Sequence, residues 1–172
     1  RQWVVDMDLS KCFDTLDQDI ILESIQERVK DSSILELVRS FLESGVMIGD
    51  ALEATQTGSP QGGVISPLIS NIYLDKFDQA MKQRGYRIIR YADDILILCG
   101  SEKSANRAMA VATNYLEDEL NLIVNVQKTH IAHSDEGVKF LGVEIGSTYT
   151  SIQEKKIQKL KDTVRALTKR NN

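Results

Sequence analysis

The stretch "RYADDILIL", residues 90 to 98, sets two adjacent aspartates, Asp93 and Asp94, in the middle of an otherwise apolar run. β-rich residues flank a short Ala-Asp-Asp segment, so it reads as strand, turn, strand, with strands over Tyr86 to Tyr91 and Ile95 to Cys99. A chain that buries its flanks and still holds two negative charges between them needs a use for those charges. An ordinary hairpin turn, in which aspartate is favoured, is the plain alternative for either residue taken alone.

Upstream, Trp3 to Leu9 alternates and is β-rich, a strand ending near Asp8. "DQDIILESIQERV" begins at a capping aspartate, Asp17, and repeats apolar residues at Ile20, Ile21, Ile25 and Val29, the pattern of an amphipathic helix. A second helix is expected from about Ser32 to Ser44 with Gly45 as its stop, then a hairpin within 46–57 turning at Gly49 and Asp50. "TGSPQGGVISP" is a loop, and Ser66-Pro67 starts a helix that should reach Arg84 and stop at Gly85.

Downstream, a long helix is expected from about Glu102 to Leu120 and a strand near Leu122 to Asn125. Short strands follow at His130 to His133 and in "VKFLGVEI", and a basic helix closes the chain. Apart from an insertion at 17–60, the order is strand, helix, strand, strand, helix, strand. The fold class is therefore α+β, a ferredoxin-like βαββαβ antiparallel sheet with helices on one face. A right-handed first crossover makes strand 86–91 parallel to strand 3–8, so both end at one edge and Asp8 should meet Asp93 and Asp94.

Carboxylates gathered in this way repel one another and call for a counter-charge. Hard oxygen ligands suit Mg²⁺, with Mn²⁺ as a substitute, and two such ions activate an attacking oxygen and stabilise a leaving one in phosphoryl transfer. The acids alone thus point to nucleotidyl transfer. Asp6, two residues before Asp8, shares its face as a polar neighbour, while Asp14 lies beyond the strand end and reads as a local cap.

The 172 residues are 42% hydrophobic and 27% charged, the balance of a soluble globular domain. No run approaches the roughly 18 apolar residues of a membrane span, and the acidic first twenty residues do not resemble a signal peptide. A cytoplasmic protein with no membrane partner is expected. Cys12 and Cys99 read as two reduced thiols, and His130 and His133 on one strand point to opposite faces, which argues against zinc. The net charge of −4 is uneven: residues 151–172 carry +5 and residues 1–150 carry −9. A basic arm on an acidic body suits phosphate contacts at one end and cations at the other. The chain opens without methionine on a strand already under way, so a piece of a longer protein is expected.

"DLSKCFDTLDQDIIL", "GSPQGGVISPLISNIYLDKFD", "YADD", "LNLIVNVQKT" and "VKFLGVEI" follow one another in the order seen in the palm of reverse transcriptases. The wording of "PQGGVISPLISNIYL" most resembles the reverse transcriptase and maturase proteins of bacterial group II introns. The resemblance implies a polymerase palm over 1–150, partial fingers in the insertion, and the start of a basic thumb helix at 151–172. It implies metal ligands at Asp8, the backbone carbonyl of Leu9, Asp93 and Asp94. Phe13 resembles a steric gate against a ribose 2′-OH.

In the same family pattern, Pro60, Gln61 and Gly62 of "PQGG" lie against the incoming nucleotide and template. Physically, Gly62 and Gly63 allow close backbone approach, and Gln61 offers a donor and an acceptor. Lys128 resembles a lysine near the triphosphate that gives a proton to pyrophosphate. Phe140, Leu141 and Gly142 resemble the hairpin that holds a primer end.

Cys12 departs from the family's usual aromatic at that position. The basic finger segments that hold the triphosphate and most of the thumb would lie outside residues 1–172, so this segment alone is expected to lack polymerase activity. The implied partners are an RNA template, a DNA primer, dNTP and intron RNA. A splicing maturase that binds RNA without needing polymerisation is the alternative function. A nucleotidyl cyclase shares the βαββαβ order but has no use for "PQGG" or "FLG".

Overall fold

The structure is a computed structural model and describes residues 2–44, 46–48, 51–53, 58 and 65–169. It begins with β1 (Trp3–Met7) and a four-residue helix α1 (Cys12–Thr15). Next come α2 (Gln18–Gln26), α3 (Ser32–Glu43) and an antiparallel pair, β2 (Val46–Ile48) and β3 (Ala51–Glu53). The Asp17 side chain caps α2, accepting from the backbone N–H of Asp19 at 2.9 Å and of Ile20 at 3.2 Å. Asp31 caps α3 in the same way.

Helix α4 (Ser66–Gln83) has Pro67 in its first turn, where a missing N–H costs nothing, and it ends before Gly85 at φ 79°. It leads into β4 (Arg87–Tyr91) and β5 (Asp94–Cys99), then α5 (Glu102–Asn114), whose start is a reciprocal box between Ser101 and Ser104. The chain closes with β6 (His130–His133), β7 (Val138–Phe140), β8 (Val143–Ile145), β9 (Thr150–Ile152) and α6 (Glu154–Leu167).

The main sheet runs β4-β5-β1-β6 with every neighbouring pair antiparallel. β4 does not pair with β1. β5 lies between them, and two antiparallel steps leave β4 parallel to β1 in direction, so the expected shared edge is present. Val5 and Met7 of β1 stand opposite Ile97 and Ile95 of β5, and all four are buried. Against them pack Tyr73, Leu74, Phe77 and Met81 of α4 and Ala105, Ala108 and Ala112 of α5. The small alanines let α5 lie close to the sheet. This is the expected α+β layering, with helices on one face.

The other face carries a smaller apolar cluster of Val4, Leu96, Ala132 and Val138, with Leu98 and Phe140 packed on it. The separate β7-β8-β9 sheet thus docks on that face through Val138 and Phe140.

Two local expectations are corrected. The strand foreseen at 122–125 is a single bridge, Val124 to Leu9, and the fourth strand of the sheet is β6. An Asn125 turn separates the two: its carbonyl accepts from Lys128 N and Thr129 N, and its side chain from Gln127 N. The helix foreseen to Leu120 is α only to Asn114 and continues as a π turn over Tyr115–Glu119. The wider turn buries Leu116 and Leu120 together while Tyr115 meets Phe77 and the Arg84 guanidinium. Neither α1 nor β9 was foreseen; both are too short to show a period.

Candidate active site

Asp8 follows β1 directly. Because Met7 pairs with Ile95, Asp8 faces Asp94 across the two strands, and Asp6 faces Leu96. Cross-strand partners share a face, so Asp6, Asp8 and Asp94 lie together on the face opposite the helical layer. The backbone of Asp8 is held on both sides by the turn after Val124. Its N–H donates to Thr129 Oγ1 at 3.2 Å, and its carbonyl accepts from Asn125 N at 2.8 Å.

The same turn aims Lys128 at Asp8, with Nζ 3.2 Å from Oδ2 and 3.3 Å from Oδ1. Lys128 is thus not a lysine turned to solvent alone but the resident counter-charge of Asp8. Leu9 buries its side chain in the core, which leaves its backbone carbonyl as the only group it can offer a ligand.

The β4–β5 turn consists of Ala92 and Asp93, since Tyr91 pairs with Asp94. Partial burial, then the charges of Asp93 and Asp8, push the Asp94 carboxyl above the usual carboxylate range, and Lys128 opposes them. Asp6, half-buried, is pushed up first by burial; His130 opposes this, while Asp94 and Asp8 add to it. Asp93 also acts on Cys12, whose thiol is driven up to about 12 mainly by burial and then by that carboxylate. Asp94 thus lies within electrostatic reach of Asp93 and Asp8, and Asp6 within reach of Asp94 and Asp8, at one rim of the sheet.

Phe13 sits on α1, half-exposed, while its neighbour Cys12 turns into the core. Gly58 binds this segment: its N–H donates to Leu16 O at 2.7 Å, and its φ of 81° lays it against the carbonyls of Phe13 and Asp14. Gln18 Nε2 donates to Gly58 O at 3.2 Å. Pro60, Gln61, Gly62 and Gly63 lie outside the described residues. Phe140 to Gly142 form a tight turn between β7 and β8, with φ 49° at Leu141 and 85° at Gly142. Lys156 lies over Gly142, where a Cβ would collide with it.

Sequence reading missed Asn125 and Thr129, which lock Asp8, and the contacts of Gly58 with Leu16 and Gln18 beside the Phe13 segment. A glycine just before "PQGG" was the available signal for the second set. For the first pair none was visible, since the contacts span more than a hundred residues.

Among the described residues no three His, Cys, Asp or Glu side chains are gathered as a ready metal-binding group. The donor set nevertheless fits a hard divalent cation. Asp8, Asp93 and Asp94 supply carboxylate oxygens only, burial and then the charges of Asp93 and Asp8 raise Asp94, and a cation already sits at Asp8 in the form of the Lys128 ammonium.

Acids at one rim of a four-stranded antiparallel sheet, helices behind and a hairpin docked in front are the layout of a polymerase palm. More narrowly, the family model described as "Reverse transcriptase (RNA-dependent DNA polymerase)" matches residues 1–145, and the chain belongs to that family. Members of this family generally use divalent metal ions. The "Putative COX1/OXI3 intron 2 protein" of Saccharomyces cerevisiae is 29% identical over 85% of this chain and 24% of its own length. The "Group II intron-encoded protein LtrA" of Lactococcus lactis is 24% identical over 84% of this chain and 35% of its own length.

Among solved structures, apo telomerase from Candida tropicalis aligns over 88% of this chain and 35% of its own, with a TM-score of 0.69 at 18% identity. That likeness is one of fold. The chain spans only about a quarter to a third of these proteins. The resemblance to intron-encoded reverse transcriptases is borne out.

Proposed function

We propose that the chain is the nucleotidyl-transfer core of an RNA-directed DNA polymerase of group II intron type. One observation carries the reading: Asp8 and the Ala92–Asp93 turn come from distant parts of the sequence to one rim, on the face that also receives the Phe140–Gly142 hairpin. Asp8, Asp93, Asp94 and the Leu9 carbonyl would hold two divalent ions, Mg²⁺ first and Mn²⁺ as substitute. When bound, such ions lower the cost of charge at the attacking and leaving oxygens.

The chain's own residues do the rest. Phe140 to Gly142 hold the primer end on the carboxylate face, and Phe13 stands where a ribose 2′-OH would project, favouring dNTP. The primer 3′-oxygen forms a bond to the α-phosphorus, the bond to pyrophosphate breaks, and the 3′-OH proton leaves to solvent. Lys128, held at Asp8, supplies a proton to the departing pyrophosphate. An RNA template and DNA primer are the partners this reading requires, and "Pro60-Gln61-Gly62" contacts the template and nucleotide.

In the complete protein, Asp93→Ala should abolish primer extension on an RNA template while leaving the fold intact, as read by circular dichroism. Substantial residual extension contradicts the proposal. A role as a splicing maturase on intron RNA is the second reading, favoured by the exposed Lys155, Lys159 and Arg165 of α6, which suit phosphate contacts. Splicing assistance that survives Asp93→Ala would place both roles in one protein.

A further inference from the structure

We infer that Arg90 is a positioning residue for the Asp93 carboxylate. Anchored on α4, it grips the backbone of the Ala92–Asp93 turn and fixes how that turn presents its acid at the rim. The inference rests on the nucleotidyl-transfer reading above.

Alternation along β4 puts Arg90 on the same face as Ile88, the face turned to the helices. An arginine there must be paired, because an unpaired buried guanidinium is costly. Its side chain is only 9% exposed and that of Asp78 on α4 only 15%. The pairing is a two-pronged fork, Nε to Asp78 Oδ1 at 2.9 Å and Nη2 to Asp78 Oδ2 at 2.7 Å. That fork would satisfy the charge.

The third nitrogen is used differently. Nη1 donates to Asn71 Oδ1 at 2.9 Å and to the carbonyl of Ala92 at 3.0 Å. Asn71 and Asp78 thus hold the guanidinium plane from two points of α4, and the remaining donor seizes the turn itself.

That contact falls on the residue that needs it. Ala92 has φ 54°, a conformation that L residues other than glycine adopt at a cost and that persists only when the surroundings enforce it. Fixing the Ala92 carbonyl fixes the plane of the peptide joining Ala92 to Asp93, and hence the direction in which Asp93 leaves the turn. Lysine cannot substitute: its ammonium is a point charge on a flexible stem and cannot hold three acceptors in one plane.

The test uses the complete protein as wild type, Arg90→Lys, Asp78→Asn and Asp93→Ala. Four quantities are read: kcat and KM for dNTP in primer extension, Mn²⁺ affinity by electron paramagnetic resonance, and melting temperature. For Arg90→Lys, kcat and Mn²⁺ affinity should each fall by at least about tenfold, while KM for dNTP changes by less than about twofold. A drop in melting temperature alone, with kcat and Mn²⁺ affinity at wild-type values, overturns the inference.

Should Arg90→Lys fail to fold, Asp78→Asn keeps the size of the side chain but leaves the fork one acceptor oxygen in place of two. An intermediate loss of about threefold in kcat and Mn²⁺ affinity then supports the inference, and wild-type values overturn it. Asp93→Ala separates the two levels. If it extends primers normally, the nucleotidyl-transfer reading falls and this inference with it; if it is inactive while Arg90→Lys matches wild type, only the positioning role of Arg90 falls.

Discussion

The two faces of the β4-β5-β1-β6 sheet are built from alternate residues of the same strands and serve opposite ends. On the helical face Val5, Met7, Ile95 and Ile97 are buried against Phe77 and Tyr73, and the burial stabilises the fold. One residue along the strands, Asp6, Asp8 and Asp94 share the other face, where burial first and the neighbouring carboxylates second push the Asp6 and Asp94 carboxyls upward, against the opposing charges of His130 and Lys128. A shift of one residue in register would exchange the two sets, so the hydrophobic face also fixes where the acids lie.

The largest effect should come from breaking the helical face. Phe77 is fully buried at its centre, and Phe77→Ala is expected to cost about 3–5 kcal/mol by denaturant unfolding. A loss below about 1 kcal/mol would mean that the core is not where the sheet draws its stability. Next in size is Gly58→Ala, at the residue that bonds Leu16 and lies against the Phe13 segment. A Cβ there would stand 2.6 Å from the carbonyl oxygens of Phe13 and Asp14, at φ 81°. A destabilisation of about 1–3 kcal/mol is expected, and an unchanged midpoint would show that Gly58 does not hold this contact.

The acidic face should respond with the opposite sign. A carboxyl whose pKa is raised in the folded state binds more protons folded than unfolded, between the ordinary value of 3.8 and its raised value. Its stabilising contribution is complete below 3.8 and is lost as pH rises through the folded value. In metal-free protein at pH 7, Asp94→Asn should therefore raise the melting temperature slightly, the side chain being largely open to screening by solvent, and the advantage should vanish below pH 3.8. A lower melting temperature at neutral pH would mean that Asp94 is paired rather than strained. The smallest effect is a null one at Cys12: with its thiol at about 12, alkylation at pH 8 should proceed only after unfolding.

Much of this was legible in the sequence, for identifiable reasons. β1, the Ala-Asp-Asp hairpin and α4 carry their own local signals: alternation, a two-residue turn, and Pro67 with Gly85 at the helix ends. The meeting of Asp8 with the turn followed from handedness alone. The wording of Leu122 to Asn125 suggested a strand, but the Asn125 turn breaks the ladder there and β6 takes the place beside β1.

Arg90 left a signal that was not read, since alternation already put a charge on the buried side of β4. The bracing of Asp8 by Thr129 was out of reach, because nothing local links residues 121 apart. The roles of Phe13, Lys128 and the Phe140–Gly142 turn came from family wording rather than from spacing.

The most direct measurement is anomalous X-ray scattering from Mn²⁺ in crystals of the complete protein bound to primer–template and dNTP. A peak at bonding distance from the carboxylates of both Asp8 and Asp93 is the result expected. Well-ordered peaks that touch neither residue, with both side chains turned away, would contradict the account.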